Sequence, residues 1–352
     1  MYTVNELLEM AQEMNASDLH LTVGVPPKVR VFGELRDIEA PKLLPDDLHT
    51  LAYSILPQAQ ISKFEENGEL DFSYSIPRVG RYRANVYHQR GSLAVVIRLV
   101  GESIPTPDKL GIPDSVMELI HKRRGLVLVT GPTGSGKSTT LASMIDQINQ
   151  QYAYNIITLE DPVENLHPHR RSIVNQREVG MDTKTFGNAL TAAMREDPDV
   201  ILVGEMRDLD TISTAITAAE TGHLVFSTLH TIGAASTIDR IIDVFPPYQQ
   251  GQIRSQLSLV LEGVISQQLI PTIGGRGRKA AFEVMLGTPA IRNLIREGKT
   301  HQIAGILQTS KKQGMQTMDD AIFELYVNRH IDREQAIGYA QDPQALNARL
   351  FV

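Results

Sequence analysis

The sequence predicts an α/β protein in which a small N-terminal α+β domain precedes a larger domain with a parallel sheet. The first hundred residues contain short β-like runs separated by Gly and Pro, whereas from Gly125 onward short continuous apolar runs alternate with helical patterns. The length of 352 residues agrees with two domains, because globular domains hold about 150 residues each. Pattern and length therefore define the fold class before any motif is considered.

The N-terminal domain is predicted to span residues 1–100 and to be built on short strands. These strands are predicted at Lys28–Phe32, Asp71–Ser75, Arg81–Tyr87 and Leu93–Val100. A linker over residues 101–113 follows, because three prolines and a glycine within residues 105–113 resist both helix and sheet. Such a linker can act as a hinge between domains.

The C-terminal domain, residues 114–352, is predicted to contain a parallel sheet. Its strands are predicted at Leu126–Val129, Ile156–Leu159, Val200–Val203 and Leu224–Phe226. Apolar runs without polar alternation are typical of strands buried on both faces, and the intervals between these runs leave room for crossover helices. From about Pro246 the pattern is mostly helical.

Composition excludes several classes of protein. There are 34 Lys and Arg against 41 Asp and Glu, a net charge of −7, so a bulk electrostatic attraction to nucleic acid or anionic lipid is not expected. The absence of cysteine excludes disulfide scaffolds, thiolate zinc sites and cysteine nucleophiles. No signal peptide is recognisable, and no apolar run approaches the ~20 residues of a membrane span. We expect a cytoplasmic protein that reaches a membrane only through a partner.

One segment fits the phosphate-binding pattern G-x-x-x-x-G-K-[ST] without a mismatch. A predicted strand precedes it, and apolar residues at helical spacing from Leu141 to Ile148 follow it. The glycines let backbone N–H groups surround a phosphate, Lys137 is expected to reach the β- and γ-phosphates, and Ser138 to supply a hydroxyl to Mg²⁺. The predicted nucleotide-binding residues are Gly131, Pro132, Thr133, Gly134, Ser135, Gly136, Lys137, Ser138 and Thr139.

Carboxylates follow two of the predicted strands. Glu160 and Glu164 come after Ile156–Leu159, and Glu205 comes after Val200–Val203. Ligand sites of α/β proteins lie at the C-terminal ends of parallel strands, so these groups are expected either to hold Mg²⁺ through water or to orient the attacking water. Glu160 and Glu205 are predicted to bind Mg²⁺, and Glu164 and Glu205 are the predicted catalytic glutamates. Which of Glu164 and Glu205 mainly orients the attacking water is left open.

Two histidines flank the strand Leu224–Phe226. His230 is predicted to sense the γ-phosphate or a neighbouring subunit, and His223 is a second candidate for that role, together with Thr221 as an interface residue. Neither histidine predicts a zinc site, because sulfur ligands are absent and no H-x-x-x-H helix is present.

Two arginines of the N-terminal domain are candidates for a contact with the nucleotide. A period of two in the third predicted strand places Arg81 and Arg83 on one face. They are expected either to pair with local acids such as Asp71 or to act as arginine fingers on ATP, which contribute roughly 10³ to 10⁵ in rate. Arg207 and Arg278 are further candidates for nucleotide or interface contacts.

Five segments in order carry the motifs of one superfamily. They are Ala16–Leu21, an N-terminal signature, Ile157–Glu164, an Asp box, Ile201–Asp208, a Walker B segment, Gly222–Thr231, a His box, and Ala290–Arg296, an AIRNLIR motif. Together they resemble the secretion ATPase superfamily, and most closely its type IV pilus retraction ATPases of the PilT type. The resemblance covers essentially the whole chain.

This resemblance implies a PAS-like N-terminal domain, a RecA-like P-loop NTPase domain and a ring-shaped homohexamer with Mg-ATP bound between the two domains of each subunit. Glu164 then corresponds to the catalytic glutamate of the Asp box, and Glu205 supports Mg²⁺ and water. Arg81 and Arg83 occupy positions from which the family's N-terminal domain contributes arginines to the nucleotide. The implied load is an inner-membrane platform protein of the PilC type at the cytoplasmic face of the membrane.

The AIRNLIR segment is predicted to be a helix that docks a partner. Thr288 can cap it, Pro289 suits its first turn, and its apolar residues form a stripe beside two arginines. The predicted docking residues are Ala290, Ile291, Arg292, Asn293, Leu294, Ile295 and Arg296. The alternative is an amphipathic helix packed on its own domain.

Other functions remain as alternatives. A pilus-extension or type II secretion ATPase is disfavoured because those relatives commonly carry a longer N-terminal region and a four-cysteine zinc insert. A nucleic-acid translocase is disfavoured by the net charge and by the absence of tryptophan, and a non-enzymatic ATP-binding regulator by the set of acids and arginines. A GTPase lacks the Asn-Lys-x-Asp segment for guanine, and the lid and acceptor pocket of a small-molecule kinase would not explain the front domain.

Overall fold

The computed structural model describes residues 2–31, 33–76, 80–99, 104–274 and 277–350. The chain divides into two units: unit 1 comprises Met1–Ser103 and Pro162–Leu166, and unit 2 comprises Ile104–Asp161 and His167–Val352. The predicted strand ends Phe32 and Val100 and residues 101–103 of the predicted linker lie outside the described residues. The stretch Pro162–Leu166 of unit 1 thus interrupts unit 2 in sequence.

Unit 1 is an antiparallel sheet with helices packed on it. Its elements are α1 Val4–Glu13, β1 Asp18–Thr22, β2 Lys28–Val31, β3 Glu34–Asp37, α2 Pro45–Ile55, α3 Ile61–Asn67, β4 Glu69–Ile76, β5 Gly80–Gln89 and β6 Ser92–Leu99. The strand order is β3-β2-β1-β6-β5-β4, and neighbouring strands run antiparallel. The four predicted strands are confirmed as β2, β4, β5 and β6. Strand β3 is exposed along its whole length, so it lacks the apolar alternation by which a strand is recognised.

Unit 2 is built on a seven-stranded sheet with helices on both faces. Its elements are α4 Pro107–Leu110, α5 Asp114–Met117, β7 Gly125–Thr130, α6 Lys137–Gln151, β8 Asn155–Glu160, β9 Ile173–Glu178, α7 Phe186–Ala193, β10 Val200–Val203, α8 Leu209–Glu220, β11 Leu224–Leu229, α9 Ala234–Asp243, α10 Pro247–Val260, β12 Leu261–Pro271, β13 Arg278–Leu286, α11 Pro289–Arg296, α12 Ile303–Thr309, α13 Met318–Val327, α14 Arg333–Tyr339 and α15 Pro343–Arg349. None of the helices in the described ranges is both long enough and apolar enough to cross a lipid bilayer.

The strand order of unit 2 is β13-β12-β7-β11-β10-β8-β9. Each neighbouring pair is parallel except β12 with β13, which is antiparallel. The parallel sheet predicted from the four apolar runs is therefore confirmed. Strand β7 is buried at every residue, because it lies inside the sheet and apolar clusters cover both faces.

Two expectations were wrong in this region. The helical pattern predicted from about Pro246 missed two strands, since residues 261–271 and 278–286 form the antiparallel pair β12 and β13. Consecutive residues such as Val264 and Ile265 are both fully buried in β12, so the strand has no period of two to reveal it. The predicted linker also contains α4, because Pro107 suits a first helical turn and Gly111 ends the helix in a left-handed conformation, with φ of 69°.

Candidate functional site

The glycine-rich segment lies where β7 ends and α6 begins. Gly136 stands at the N-cap of α6 in a left-handed conformation, with φ of 90°, and Lys137 is the first helical residue. No side chain of the described residues caps this helix end, and the helix dipole favours an anion there. The predicted strand, loop and helix are thus present in the predicted order.

A buried glutamine from a neighbouring strand supports the loop. A Cβ on Gly131 would lie 2.2 Å from the backbone oxygen of Gln267, and a Cβ on Gly136 would lie 2.9 Å from Nε2 of Gln267. The hydroxyl of Thr140 donates to Oε1 of Gln267 at 2.8 Å. The two glycines are therefore required by close packing against β12, and Gln267 is a site residue that the sequence analysis missed.

The polar groups of the loop are arranged for phosphate. Lys137 is buried, and its Nζ donates to the backbone oxygens of Gly131 and Pro132 at 2.9 and 3.0 Å. Ser135 is also buried, and its Oγ has no hydrogen-bond partner within the described ranges. Exposed side chains of the loop are those of Pro132, Thr133 and Ser138, whereas Thr139 is half-buried. The Ser135 hydroxyl and the Lys137 ammonium, beside the first N–H groups of α6, form a donor set that suits a polyphosphate.

Three of the predicted residues lie along the carboxyl edge of this sheet, the edge at which β7, β8, β10 and β11 end. His230 follows β11, the strand next to β7, Glu205 follows β10, the second strand, and Glu160 ends β8, the third. Adjacent strands are about 4.8 Å apart, so the strand of Glu205 is roughly 10 Å from β7 and that of Glu160 roughly 14 Å. Glu205 is therefore the carboxylate better placed to act near a phosphate held in the loop.

Glu205 pairs with the basic groups on either side of it. Its Oε2 is 2.8 Å from Nε of Arg207 and 3.5 Å from Nε2 of His230. The turn that carries it is held by neighbouring strands: the Gly204 N–H donates to the Leu159 oxygen at 2.7 Å. The predicted sensor His230 and the candidate Arg207 are thus both in contact with the Walker B carboxylate.

Glu160 is held by hydrogen bonds from two side chains. Its Oε1 accepts from Thr158 Oγ1 at 2.6 Å and from Gln176 Nε2 at 3.0 Å. Gln176 lies on β9, which the sequence analysis did not predict, and the pattern around it offered no motif. Glu160 therefore has a defined orientation at the edge of the sheet.

The donor set fits Mg²⁺. No three His, Asp or Glu side chains in the described part of the chain lie close enough to form a metal site by themselves. Mg²⁺ keeps several waters and is usually bound through one or two carboxylates plus substrate phosphates, so it needs no such cluster. The exposed Ser138 hydroxyl at the first turn of α6 and the carboxylate of Glu205 are the groups that would hold it.

The remaining predicted catalytic residues belong to unit 1. Nε of Arg81 donates to the backbone oxygen of Val163 at 2.9 Å, within the stretch Pro162–Leu166 that also carries the exposed Glu164. Arg83 forms an ion pair with Asp71, with Nε 3.1 Å from Oδ2. The pairing of Arg83 with a local acid, which the sequence left open as an alternative, is therefore present.

Two other candidates lie away from the glycine loop. Thr221 and His223 precede β11, at the opposite edge of the sheet, because Leu224 pairs with Gly125, the first residue of β7. The expectation that His223 lies near the γ-phosphate was wrong: a residue before a parallel strand lies at the end opposite to a residue after it. His223 instead bonds the Ala218 oxygen through Nδ1 at 2.9 Å. The interface role of Thr221 and His223 stays a prediction.

Arg278 is the first residue of β13. It pairs with Pro271, the last residue of β12, whereas Ser266 of the same strand pairs with Thr130 at the end of β7. Arg278 thus lies several residues beyond the end of β7, at the same edge of the sheet as the glycine loop. Its side chain is exposed. Its nucleotide or interface role stays a prediction.

Helix α11 has the predicted cap, but its apolar stripe packs into the core of unit 2. Thr288 accepts from the Ile291 N–H, and Pro289 occupies the first turn, as predicted. Ile291, Leu294 and Ile295 are buried in the core of unit 2, so they are not available for docking, and that part of the prediction was wrong. The helix residues with partly or fully exposed side chains include Ala290, Asn293 and Arg296.

Arg292 is bound within unit 2. It donates to the backbone oxygens of Gly287 and Ser258 at 2.7 and 2.9 Å, and to Oε1 of Glu262 at 2.8 Å. The other oxygen of Glu262 is 3.1 Å from Nζ of Lys122. Arg292 thus binds carbonyl groups at the end of α10, which is a structural role. The sequence analysis had instead predicted that this residue docks a partner.

Two further buried titratable residues lie outside the predicted set. Glu283 on β13 accepts from the Ala234 N–H at 2.6 Å, directly after the His box, and burial raises the pKa of its carboxyl. His167 is buried without a partner for Nδ1 within the described ranges, and burial lowers its pKa to about 4. Both are ordinary residues in sequence and were not predicted.

A strand, a glycine loop and a helix in this register, at the carboxyl edge of a parallel sheet, define a P-loop nucleotide-binding protein. The family model for type II/IV secretion system proteins matches residues 91–282. The chain belongs to this family.

The relatives agree in sequence and in fold. The type IV pilus retractation ATPase PilT of Pseudomonas aeruginosa is 50% identical over 341 residues, 97% of this chain and 99% of that protein. The twitching motility protein of Neisseria gonorrhoeae is 44% identical, over 98% of this chain and 92% of its own length. The crystal structure of the pilus retraction motor PilT and bound ADP matches with a TM-score of 0.93 at 53% identity, covering 99% of this chain and 100% of that one.

Proposed function

We propose that this protein is a Mg²⁺-dependent ATPase motor that powers type IV pilus retraction. The observation that carries the proposal is the placement of Lys137, Glu205 and His230 along one edge of one sheet. A phosphate-binding loop beside a paired carboxylate and imidazole supports hydrolysis rather than binding alone. The high identity to a named retraction ATPase over nearly the full chain supports the particular load.

Each residue has a defined task in the proposed reaction. Lys137 and the loop N–H groups bind the β- and γ-phosphates, and Glu164 orients the attacking water. Ser138 and Glu205 would hold Mg²⁺ when the nucleotide is bound, and the ion would supply positive charge to the phosphates. His230 contacts the same carboxylate, so it senses whether Glu205 is engaged.

The proposed assembly is a homohexamer on the cytoplasmic face of the inner membrane. ATP binds between the two domains of each subunit, Arg81 and Arg83 reach it from the N-terminal domain, and the linker at residues 101–113 acts as the hinge. Hydrolysis then turns one domain against the other, and an inner-membrane platform protein of the PilC type receives the movement. Nucleic acid is not an expected partner.

Steady-state ATP hydrolysis and light-scattering mass test this proposal on the intact protein. We expect Mg²⁺-dependent turnover from a particle of six chains in the presence of ATP. A monomer that binds ATP without turnover would instead support a regulator. Stimulation of ATP turnover by DNA would support a nucleic-acid translocase. If cells without this protein lost pilus assembly rather than pilus retraction, the result would support an extension motor.

Docking through α11 predicts a separation of two activities. The double change Asn293→Ala and Arg296→Ala is expected to abolish pilus retraction in cells and to leave ATP turnover within about twofold of the parent, because these side chains lie at the accessible part of the helix. Turnover and twitching are measured on the same variants. A parallel loss of ATP turnover would remove the docking role.

Arg292→Ala serves as the contrast to that double change. It removes hydrogen bonds to three backbone oxygens and to Glu262, so we expect it to lower the unfolding free energy by about 2 kcal/mol. Scanning calorimetry should then show a melting temperature roughly 5 °C lower, whereas the double change should leave it unaltered.

A further inference from the structure

The chain leaves unit 2 after Asp161 and returns at His167. The stretch between them, Pro162–Leu166, belongs to unit 1, where Val163 accepts a hydrogen bond from Arg81. It also carries Glu164, the proposed water-orienting residue. The path of this stretch therefore depends on how its two ends are held in unit 2.

One side chain bonds to both ends. Nε2 of Gln176 donates to Oε1 of Glu160 at 3.0 Å, just before the stretch, and Oε1 of Gln176 accepts from the His167 N–H at 2.8 Å, just after it. Gln176 is the direct neighbour of Thr158 in the parallel pairing of β8 with β9. The Thr158 hydroxyl donates to the same Glu160 oxygen at 2.6 Å, so the two side chains orient one carboxylate together.

The chemistry of the bridge requires an amide. Bonding to a carboxylate oxygen and to a backbone N–H needs one donor and one acceptor on the same group, which the glutamine amide supplies. Glutamate retains the acceptor for His167 but places a second carboxylate against Glu160. Methionine has a similar length and neither strong donor nor strong acceptor.

We propose that Gln176 is a positioning residue. Its hydrogen bonds join the two ends of the stretch that carries Glu164, and they thereby determine the position of Glu164 during ATP hydrolysis. This inference rests on the proposed ATPase function. Gln176 does not touch the nucleotide in this scheme. It acts through Glu160 and through the backbone at His167, and a misplacement of about 1 Å at a reacting group costs up to 10²-fold in rate.

The test compares Gln176→Met with Asn175→Ala in the full chain. Asn175 is adjacent on β9, is exposed, points to the opposite face, and bonds Asn155 only at 3.4 Å. We expect Gln176→Met to lower kcat by about 10- to 100-fold with KM for ATP and affinity for ADP within about threefold of the parent. Gln176→Glu should give a loss of kcat as well, and it replaces the methionine variant if that variant melts early.

A second readout does not depend on turnover. A glutamate-specific protease should cut after Glu164 several-fold faster in Gln176→Met than in the parent or in Asn175→Ala. The reason is that the two ends of the stretch are no longer joined by hydrogen bonds, so the stretch opens more often. Normal kcat and an unchanged cleavage rate in Gln176→Met, beside an active parent, would overturn the positioning role alone. A parent that hydrolyses no ATP would overturn the proposed function, and unchanged cleavage there would overturn this inference too.

Discussion

Lys137→Ala is expected to lower ATP turnover by at least about 10²- to 10³-fold. The ammonium lies buried over the glycine loop, bound to two loop carbonyl groups, and it is the only side-chain cation that the phosphate-binding motif supplies. Removing one charged donor from a developing oxyanion typically has an effect of this size. Phosphate release under steady-state conditions measures it.

Lys312→Ala is the matched control for that change. Lys312 is an exposed lysine of the same unit, outside the loop, and its removal should leave turnover within experimental error. Retention of more than a tenth of the parental rate by Lys137→Ala would show that the glycine loop does not hold the transferred phosphate. The assignment of the whole site would then fail.

Changes of the two glutamates should separate water activation from metal binding. Glu164→Gln is expected to reduce turnover by about 10²-fold or more with nucleotide affinity kept, because an amide orients a water but cannot accept its proton. Glu205→Gln is expected to raise the Mg²⁺ concentration needed for half-maximal turnover. It also weakens the contacts with Arg207 and His230, which lie 2.8 and 3.5 Å from its Oε2.

Glu66→Gln is the control for both glutamates, because Glu66 is an exposed glutamate on α3. Turnover is measured as a function of Mg²⁺ and of ATP for the three variants. Parental rates in both Glu164→Gln and Glu205→Gln would exclude the acidic part of the site. Exchanged phenotypes would reverse the two roles.

Features encoded in short segments were predictable from sequence. Strands such as β7 and β10 are short apolar runs, and the loop from Gly131 to Ser138 fits its motif by itself. The cap of α11 likewise depends only on Thr288 and Pro289. In each case the determinants lie within a few residues, so no tertiary contact is needed to recognise them.

Features that depend on distant parts of the chain could not be predicted. Thr140 and Gln267 are 127 residues apart, and nothing near Gln267 indicates that it supports a phosphate loop. Gln176 has the same property, since its partners belong to a different strand and to a returning segment. The inward direction of the apolar stripe on α11 was also undetermined, because an amphipathic helix shows which face is apolar and not what covers it.

The error at His223 has a different origin. In a parallel sheet the first and last residues of a strand lie at opposite edges, so only one of two flanking histidines can be near the glycine loop. This consequence of strand direction was available from the sequence once the sheet was taken as parallel. His230, which follows the strand, is the one that contacts Glu205.

The interrupted membership of unit 1 limits how this protein can be taken apart. Unit 1 draws on Met1–Ser103 and on Pro162–Leu166, so no single cut yields both units with all their residues. A chimera that exchanges residues 1–103 between two relatives would leave the later stretch from the other parent. The carbonyl group that Arg81 binds, at Val163, would then come from a different ancestor than Arg81 itself. Modular recombination in this family should therefore succeed only when both segments are transplanted together.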